Sequence, residues 1–173
     1  MKTMIKAALA ATVATGLFAS PALAASAGVG KFIANAKIVK PVTLTKGVDL
    51  DFGTTTMLPA LDSATVTVAD SLGAIAVCSD AAKLSCSGGT PATFTLSSGV
   101  GGQTVQISYV TPPTELTLIG GTATVGFKLD AVENVQLAAD GTGNFRVGGE
   151  ITVQNTTLDG AYRAVVNIVA NYL

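Results

Sequence analysis

Apolar and polar residues alternate in short runs along most of this chain, with a period of two. Ala64 to Ala69 carries Val66 and Val68 on one face. Such alternation over four to eight residues is the mark of a strand with one buried face. The same pattern predicts strands over 32–39, 42–45, 48–52, 74–78, 92–96, 104–109, 115–119, 122–129, 144–147 and 150–154. Clusters of Gly, Pro, Ser and Asp separate the runs, and that spacing predicts an all-β antiparallel sandwich or barrel. Gly99-Val100-Gly101-Gly102 reads as the turn joining the strands at 92–96 and 104–109 as a pair. Gly120-Gly121 is a two-residue hairpin signal. Gly148-Gly149 reads as a bulge within one strand. Helix is confined to candidate turns at 79–84 and 131–135. Membrane barrels alternate too, but their strands run ~9–11 residues between aromatic girdles. Here the runs are shorter and Phe, Tyr and Trp make up 5% of residues, which favours a soluble sandwich.

The strongest run is the last, "LDGAYRAVVNIVANYL" at 158–173. Tyr162, Ala164, Val166, Ile168, Ala170 and Tyr172 share one face of a strand over 161–172. Arg163 is its only charge. A sheet edge exposes unpaired N–H and C=O groups, which natural proteins usually blunt. Nothing in this run would do so.

The first residues read as an export signal. Lys2 and Lys6 precede an apolar run from Ala7 to Ala19, and Ala22 and Ala24 form an A-x-A cleavage site. The run is short of the ~20 residues of a membrane span. Cleavage after Ala24 leaves 25–173 as one domain of a size that buries a real core. Without Lys2 and Lys6, 8 basic residues stand against 11 acidic ones. The basic residues are scattered, so nucleic acid is not an expected partner.

Two cysteines remain, Cys78 and Cys86. An even count in an exported chain predicts a disulfide, here closing a loop of about nine residues worth roughly 2–3 kcal/mol. There is no His in the chain, so histidine acid–base catalysis is excluded, and two cysteines are too few for a zinc site. Asp49 and Asp51 form a period-two pair in "GVDLDFG", better read as turn carboxylates than as a dyad. Asn155-Thr156-Thr157 matches a glycosylation pattern and reads as a turn before the last strand. No catalytic, cofactor-binding or metal-binding residues are identified, and no enzyme or cofactor is expected. The absence of Trp also weakens a carbohydrate-binding platform.

The segment ahead of Pro41 is open to two readings. Phe32, Ala34, Ala36 and Ile38 alternate on one face. They can form an ordinary first strand, or a detachable strand that completes a neighbour by β-augmentation. Burying Phe32 and Ile38 would contribute ~1.5–3 kcal/mol each, and about a dozen strand hydrogen bonds ~0.5–1.5 kcal/mol each, net. That is a large share of the ~5–15 kcal/mol that holds a domain.

Tyr172 in the second-to-last position and Gly160 fourteenth from the end, with alternating apolar residues between them, resemble the C-terminal signature of bacterial chaperone–usher pilins. "KIVKPVTLTKGVDLDFG", "ATVTV", "FRVGGEITV" and "DGAYRAVVNIVANYL" resemble a secreted bacterial, pilin-like domain-of-unknown-function family, number 4402. The resemblance implies an immunoglobulin-like antiparallel β-sandwich over 41–173 that lacks or exchanges its last strand. It implies an N-terminal extension over 25–40 whose donor strand is roughly 30–39. The groove beside Gly160, Tyr162, Ala164, Val166, Ile168, Ala170, Tyr172 and Leu173 would accept a strand first from a periplasmic chaperone, then from the next subunit. The terminal carboxylate of Leu173 would meet basic residues of the chaperone. The implied partners are further copies or related pilins, a periplasmic chaperone and an outer-membrane usher. The implied route runs through the periplasm to a cell-surface fibre. The alternative is a self-complete secreted β-sandwich that acts as a surface or binding protein without polymerising.

Overall fold

The computed structural model describes residues 31–173; the expected export signal at 1–24 and the start of the expected extension lie outside the described residues. The chain divides into a compact body, Lys37–Leu173, and a leading unit that ends at Ala36. Of the leading unit, residues 31–36 are described, and they carry no regular secondary structure. Nor do residues 37–42. The strand expected over 32–39 is therefore not formed. Phe32 and Ile38 are 90% and 94% exposed. A strand gains stability only from a ladder and a face to bury, and this segment has neither.

The body is an all-β antiparallel sandwich, and none of the described residues is helical. Its strands are β1 (Thr43–Lys46), β2 (Thr54–Met57), β3 (Ser63–Val68), β4 (Val77–Cys78), β5 (Leu84–Ser87), β6 (Ala92–Ser97), β7 (Thr104–Val110), β8 (Glu115–Leu118), β9 (Thr124–Leu129), β10 (Val135–Gln136), β11 (Gly143–Val147), β12 (Gly149–Gln154), β13 (Tyr162–Arg163) and β14 (Asn167–Tyr172). A six-stranded sheet runs β13-β8-β9-β12-β3-β4. Two three-stranded sheets run β1-β6-β11 and β10-β7-β14, and β2 and β5 form a separate ribbon.

Alternation explains the central pairing. In β3, Ala64, Val66 and Val68 are buried, and the residues between them are not. In β12 the buried set is Gly149, Ile151 and Val153. Register sets Ile151 opposite Val66 on one side and opposite Phe127 on the other. A slip of one residue would turn every one of these side chains to solvent. They form the first core cluster together with Leu61, Leu84 and Ala76. Leu96, Val105, Ile107 and Leu137 form the second, among the two three-stranded sheets.

Four sequence expectations are corrected by the pairing. The strands at 92–97 and 104–110 are not a hairpin: β6 pairs with β1 and β11, and β7 with β10 and β14. The glycine-rich loop between them docks on the 137–141 turn instead, with Gly99 N–H donating to Gly141 C=O (3.1 Å) and Gly102 N–H to Leu137 C=O (3.1 Å). The stretch at 144–154 is not one bulged strand. β11 belongs to one sheet and β12 to another, with Gly148 as the only residue between them. A side chain at Gly148 would run into the Val68 carbonyl and the Asp130 carboxylate, and would meet the Asp70 amide at 2.8 Å. Third, the expected strand at 48–52 is reduced to one bridge between Asp51 and Thr90, and β2 follows it instead. "TTTM" has no apolar alternation to announce a strand. Finally, the last run is two strands. β13 pairs with β8 and β14 with β7, while Ala164–Val166 crosses from one sheet edge to the other.

The disulfide expected between Cys78 and Cys86 is present, with Cα atoms 5.7 Å apart. Asn155-Thr156-Thr157 forms the expected turn, with Thr157 N–H donating to Gln154 C=O at 3.0 Å.

Gly148→Ala is expected to cost roughly 1–3 kcal/mol, because the Val68 carbonyl and the Asp70 amide are backbone and cannot swing aside as the Asp130 side chain can. Urea unfolding of the variant against wild type measures it.

Candidate functional site

The candidate site starts from the edges of the sheets. Among the described residues, β13 pairs only with β8, β14 only with β7, and β2 only with β5. Each therefore offers one side of its backbone with no ladder partner.

The C-terminal edge keeps its alternation through both strands. Tyr162, Ala164, Val166, Ile168, Ala170 and Tyr172 are half-buried, and Arg163, Val165, Asn167, Val169 and Asn171 between them are exposed. These inward residues are the six that the sequence pattern placed on one face. None of them is fully buried. Val166 packs on the first core cluster, and Ile168, Ala170 and Tyr172 on the second. The crossing segment thus spans both cores and covers neither completely.

Beside this edge lies a groove of about 970 Å³. One wall is the segment from Thr157 to Ile168, and the other runs from Lys46 past Leu50 and Phe52 to Met57. Phe94, Leu116, Phe127, Leu129, Ile151 and Val153 line it between the walls. Phe127, Ile151 and Val153 are buried, whereas Phe94, Leu116, Leu129, Leu50, Phe52 and Met57 are only half-buried. Phe94 stacks on Phe145 across β6 and β11, with ring centroids 5.0 Å apart. Phe52 meets Phe127 edge-on at 6.0 Å. Thr55, on the β2 wall, has a buried hydroxyl without a hydrogen-bond partner.

Gly160, marked by the sequence, stands at one end of the groove. Its φ of 145° suits glycine, and a side chain there would strike Leu118. Tyr172 is pinned at the other end of the segment, its hydroxyl accepting the Val100 N–H at 2.9 Å. Leu173 is exposed, and its N–H donates to Thr104 C=O at 3.1 Å. The candidate donor residues Phe32, Ala34, Ala36 and Ile38 are all exposed.

The carboxylates on the groove wall have structural roles. Asp49 forms an ion pair with Lys46 at 2.7 Å, and Asp51 accepts the Gly53 N–H at 2.8 Å. This arrangement offers unpaired strand edges above an incompletely covered apolar floor. Such an arrangement is one that can take an extended chain, with hydrogen bonds to the backbone and alternate side chains below.

Sequence reasoning found the C-terminal wall and missed the opposite wall and the floor. Leu50 and Phe52 carried a signal, since they alternate with Asp49 and Asp51. Phe94, Phe127 and Ile151 come from three strands in two sheets, and no local pattern joins them.

Tyr109, which also lines the groove, donates to the Asp130 carbonyl at 2.8 Å. Burial, with the charges of Asp130 and Asp70, pushes the Tyr109 phenol up to about 12. Burial also raises the Asp130 carboxyl, helped by Asp70 and Glu150 and opposed by Lys128. The hydrogen-bonded ammonium of Lys83 holds Asp62 down at about 2.

The fold and groove together define an antiparallel β-sandwich with open strand edges. Residues 42–172 match the model described as Domain of unknown function (DUF4402), and the chain belongs to that family. No curated protein and no solved structure matches the chain.

Asp130 and Asp62 pull the pH dependence of stability in opposite directions. The folded state holds the Asp130 proton more tightly than the unfolded chain does, so this group adds stability as pH falls from neutral towards the ordinary carboxylate range. Asp62 acts in reverse: its contribution is present above the ordinary range and is lost as pH falls towards 2. Asp130→Asn is therefore expected to be at least as stable as wild type near neutrality and to lose the gain on mild acidification. Thermal melts between about pH 4 and pH 7 measure this.

Proposed function

We propose that this chain is a structural subunit of a surface fibre, built by donor-strand exchange through a chaperone–usher-type pathway. The body serves as an immunoglobulin-like, pilin-like acceptor, and residues 30–39 of one copy complete the groove of the next. Exported before assembly, each subunit is held first by a periplasmic chaperone and delivered to an outer-membrane usher.

The observation that carries this reading is the pairing of an unfilled groove with an unburied segment of strand periodicity. The groove has free edges on two sides and a half-buried apolar floor. Phe32 and Ile38, on one face of the leading segment, are 90% and 94% exposed. Each lacks what the other supplies: a ladder for the segment and a cover for the floor. The alternative, a self-complete sandwich, needs this segment as its own first strand. The absence of any strand over residues 31–42 counts against it.

Removal of residues 25–39 is expected to leave a folded monomer that cannot assemble. A synthetic peptide of residues 30–39 should then bind it and raise its melting temperature. Phe32→Asp in the full chain should weaken assembly on the order of tenfold to a hundredfold through loss of ring burial. Detergent-resistant ladders on unheated gels, with size-exclusion chromatography, report both. Unchanged assembly after the deletion would sink the proposal.

A further inference from the structure

Cys78 and Cys86 do not line the groove, yet one wall of the groove hangs on them. That wall includes β2, which pairs only with β5, and register sets Thr55 opposite Cys86. β5 has no ladder with the six-stranded sheet. Besides the main chain through residues 79–83, a second covalent tie to that sheet is the bridge from Cys86 to Cys78 in β4. β4 in turn pairs with β3, Cys78 opposite Val66. The connection therefore runs from groove wall to β5, through sulfur to β4, and on to the central sheet.

The other ties are weaker or shared. Ala76 N–H donates to Gly88 C=O at 2.8 Å. Lys83 meets Asp62 at 2.6 Å, but the Asp62 side chain is 75% exposed, and exposed pairs hold little. Leu84 is 1% exposed and anchors the start of β5 in the first core cluster. Phe52, Met57 and Cys86 are half-buried against the same cluster, and the bridge adds the covalent tie at the Thr55–Cys86 end. A two-stranded ribbon alone is marginal in water, and such units are the first to open locally.

We infer that the Cys78–Cys86 bridge is the positioning element of the strand-accepting groove. It holds β2 at the separation an incoming strand from a second copy needs, and its loss disables strand acceptance before it unfolds the sandwich. The inference rests on the proposed strand-accepting role of the groove. Formation of the bridge couples the site to an oxidising compartment: two thiols give up two electrons and two protons to a disulfide oxidant, and a dithiol reductant reverses the step.

The test uses the compact body from Lys40 onward, so that no copy fills its neighbour's groove, in three forms: oxidised, reduced by a dithiol, and Cys78→Ser/Cys86→Ser. Amide hydrogen exchange is read at Thr55, Thr56 and Cys86 or its replacement, and against them at Val66 and Ile151. A labelled peptide of residues 30–39 reports the groove. In the reduced and substituted forms, exchange in the wall should rise roughly tenfold or more, peptide affinity should fall by a similar factor, and Val66 and Ile151 should stay protected. Asp62→Asn, which cuts the ion pair but keeps the bridge, should change neither readout. Unchanged wall exchange overturns the inference. So does loss of protection at Val66 and Ile151 together with Thr55, because the bridge would then hold the whole domain. If the oxidised chain fails to bind the peptide, the strand-accepting role fails, while the exchange pattern still decides what the bridge holds.

Discussion

A β-strand is stable when its backbone is paired on both sides or shielded on one, and when one face is buried. The last strands of this protein meet these demands by halves. β13 and β14 are each paired on a single side, and their inward residues are only half-buried. Much else follows from this. The crossing at Ala164–Val166 carries the chain between two sheet edges and so between two core clusters. The groove beside it is the space left where those edges face the segment from Lys46 to Met57. In the proposed assembly, an incoming strand gains ladder bonds and covers the apolar floor in one step.

Around that open side the rest of the body is built to stay closed. The central β3-β12-β9 pairing buries one face fully and leaves Thr65, Thr67 and Glu150 outside it. Gly148 lets the chain pass between layers within a single residue, because the Val68 carbonyl and the Asp130 carboxylate leave no room for a side chain. The disulfide fastens the β2–β5 ribbon, which lacks ladder contact with the large sheet. These devices separate two properties that usually go together: a well-defined core and a complete set of strand partners.

Electrostatics plays a secondary part. Asp130, with Asp70 and Glu150 nearby, is a partly buried acid whose ionisation costs stability. It sits at the sheet-switching corner, where the backbone geometry rather than the charge fixes the fold.

The all-β class, the disulfide and the inward face of the last run were legible in the sequence, because each rests on a local rule. Period two sets which side chains share a face, and two cysteines in a chain that reads as exported predict one bridge. Strand partners were not legible. Nothing local separates a hairpin between 92–97 and 104–110 from two strands in different sheets, nor a bulge at Gly148 from a change of layer. The run at 161–172 kept its alternation while changing partner halfway, so the pattern alone reads it as one strand. At the other end, "GKFIANAKIV" has strand periodicity, yet its described residues form no strand. Periodicity states which face a strand would bury. Whether there is anything to bury it against depends on contacts between residues far apart in the chain, and only the tertiary structure decides that.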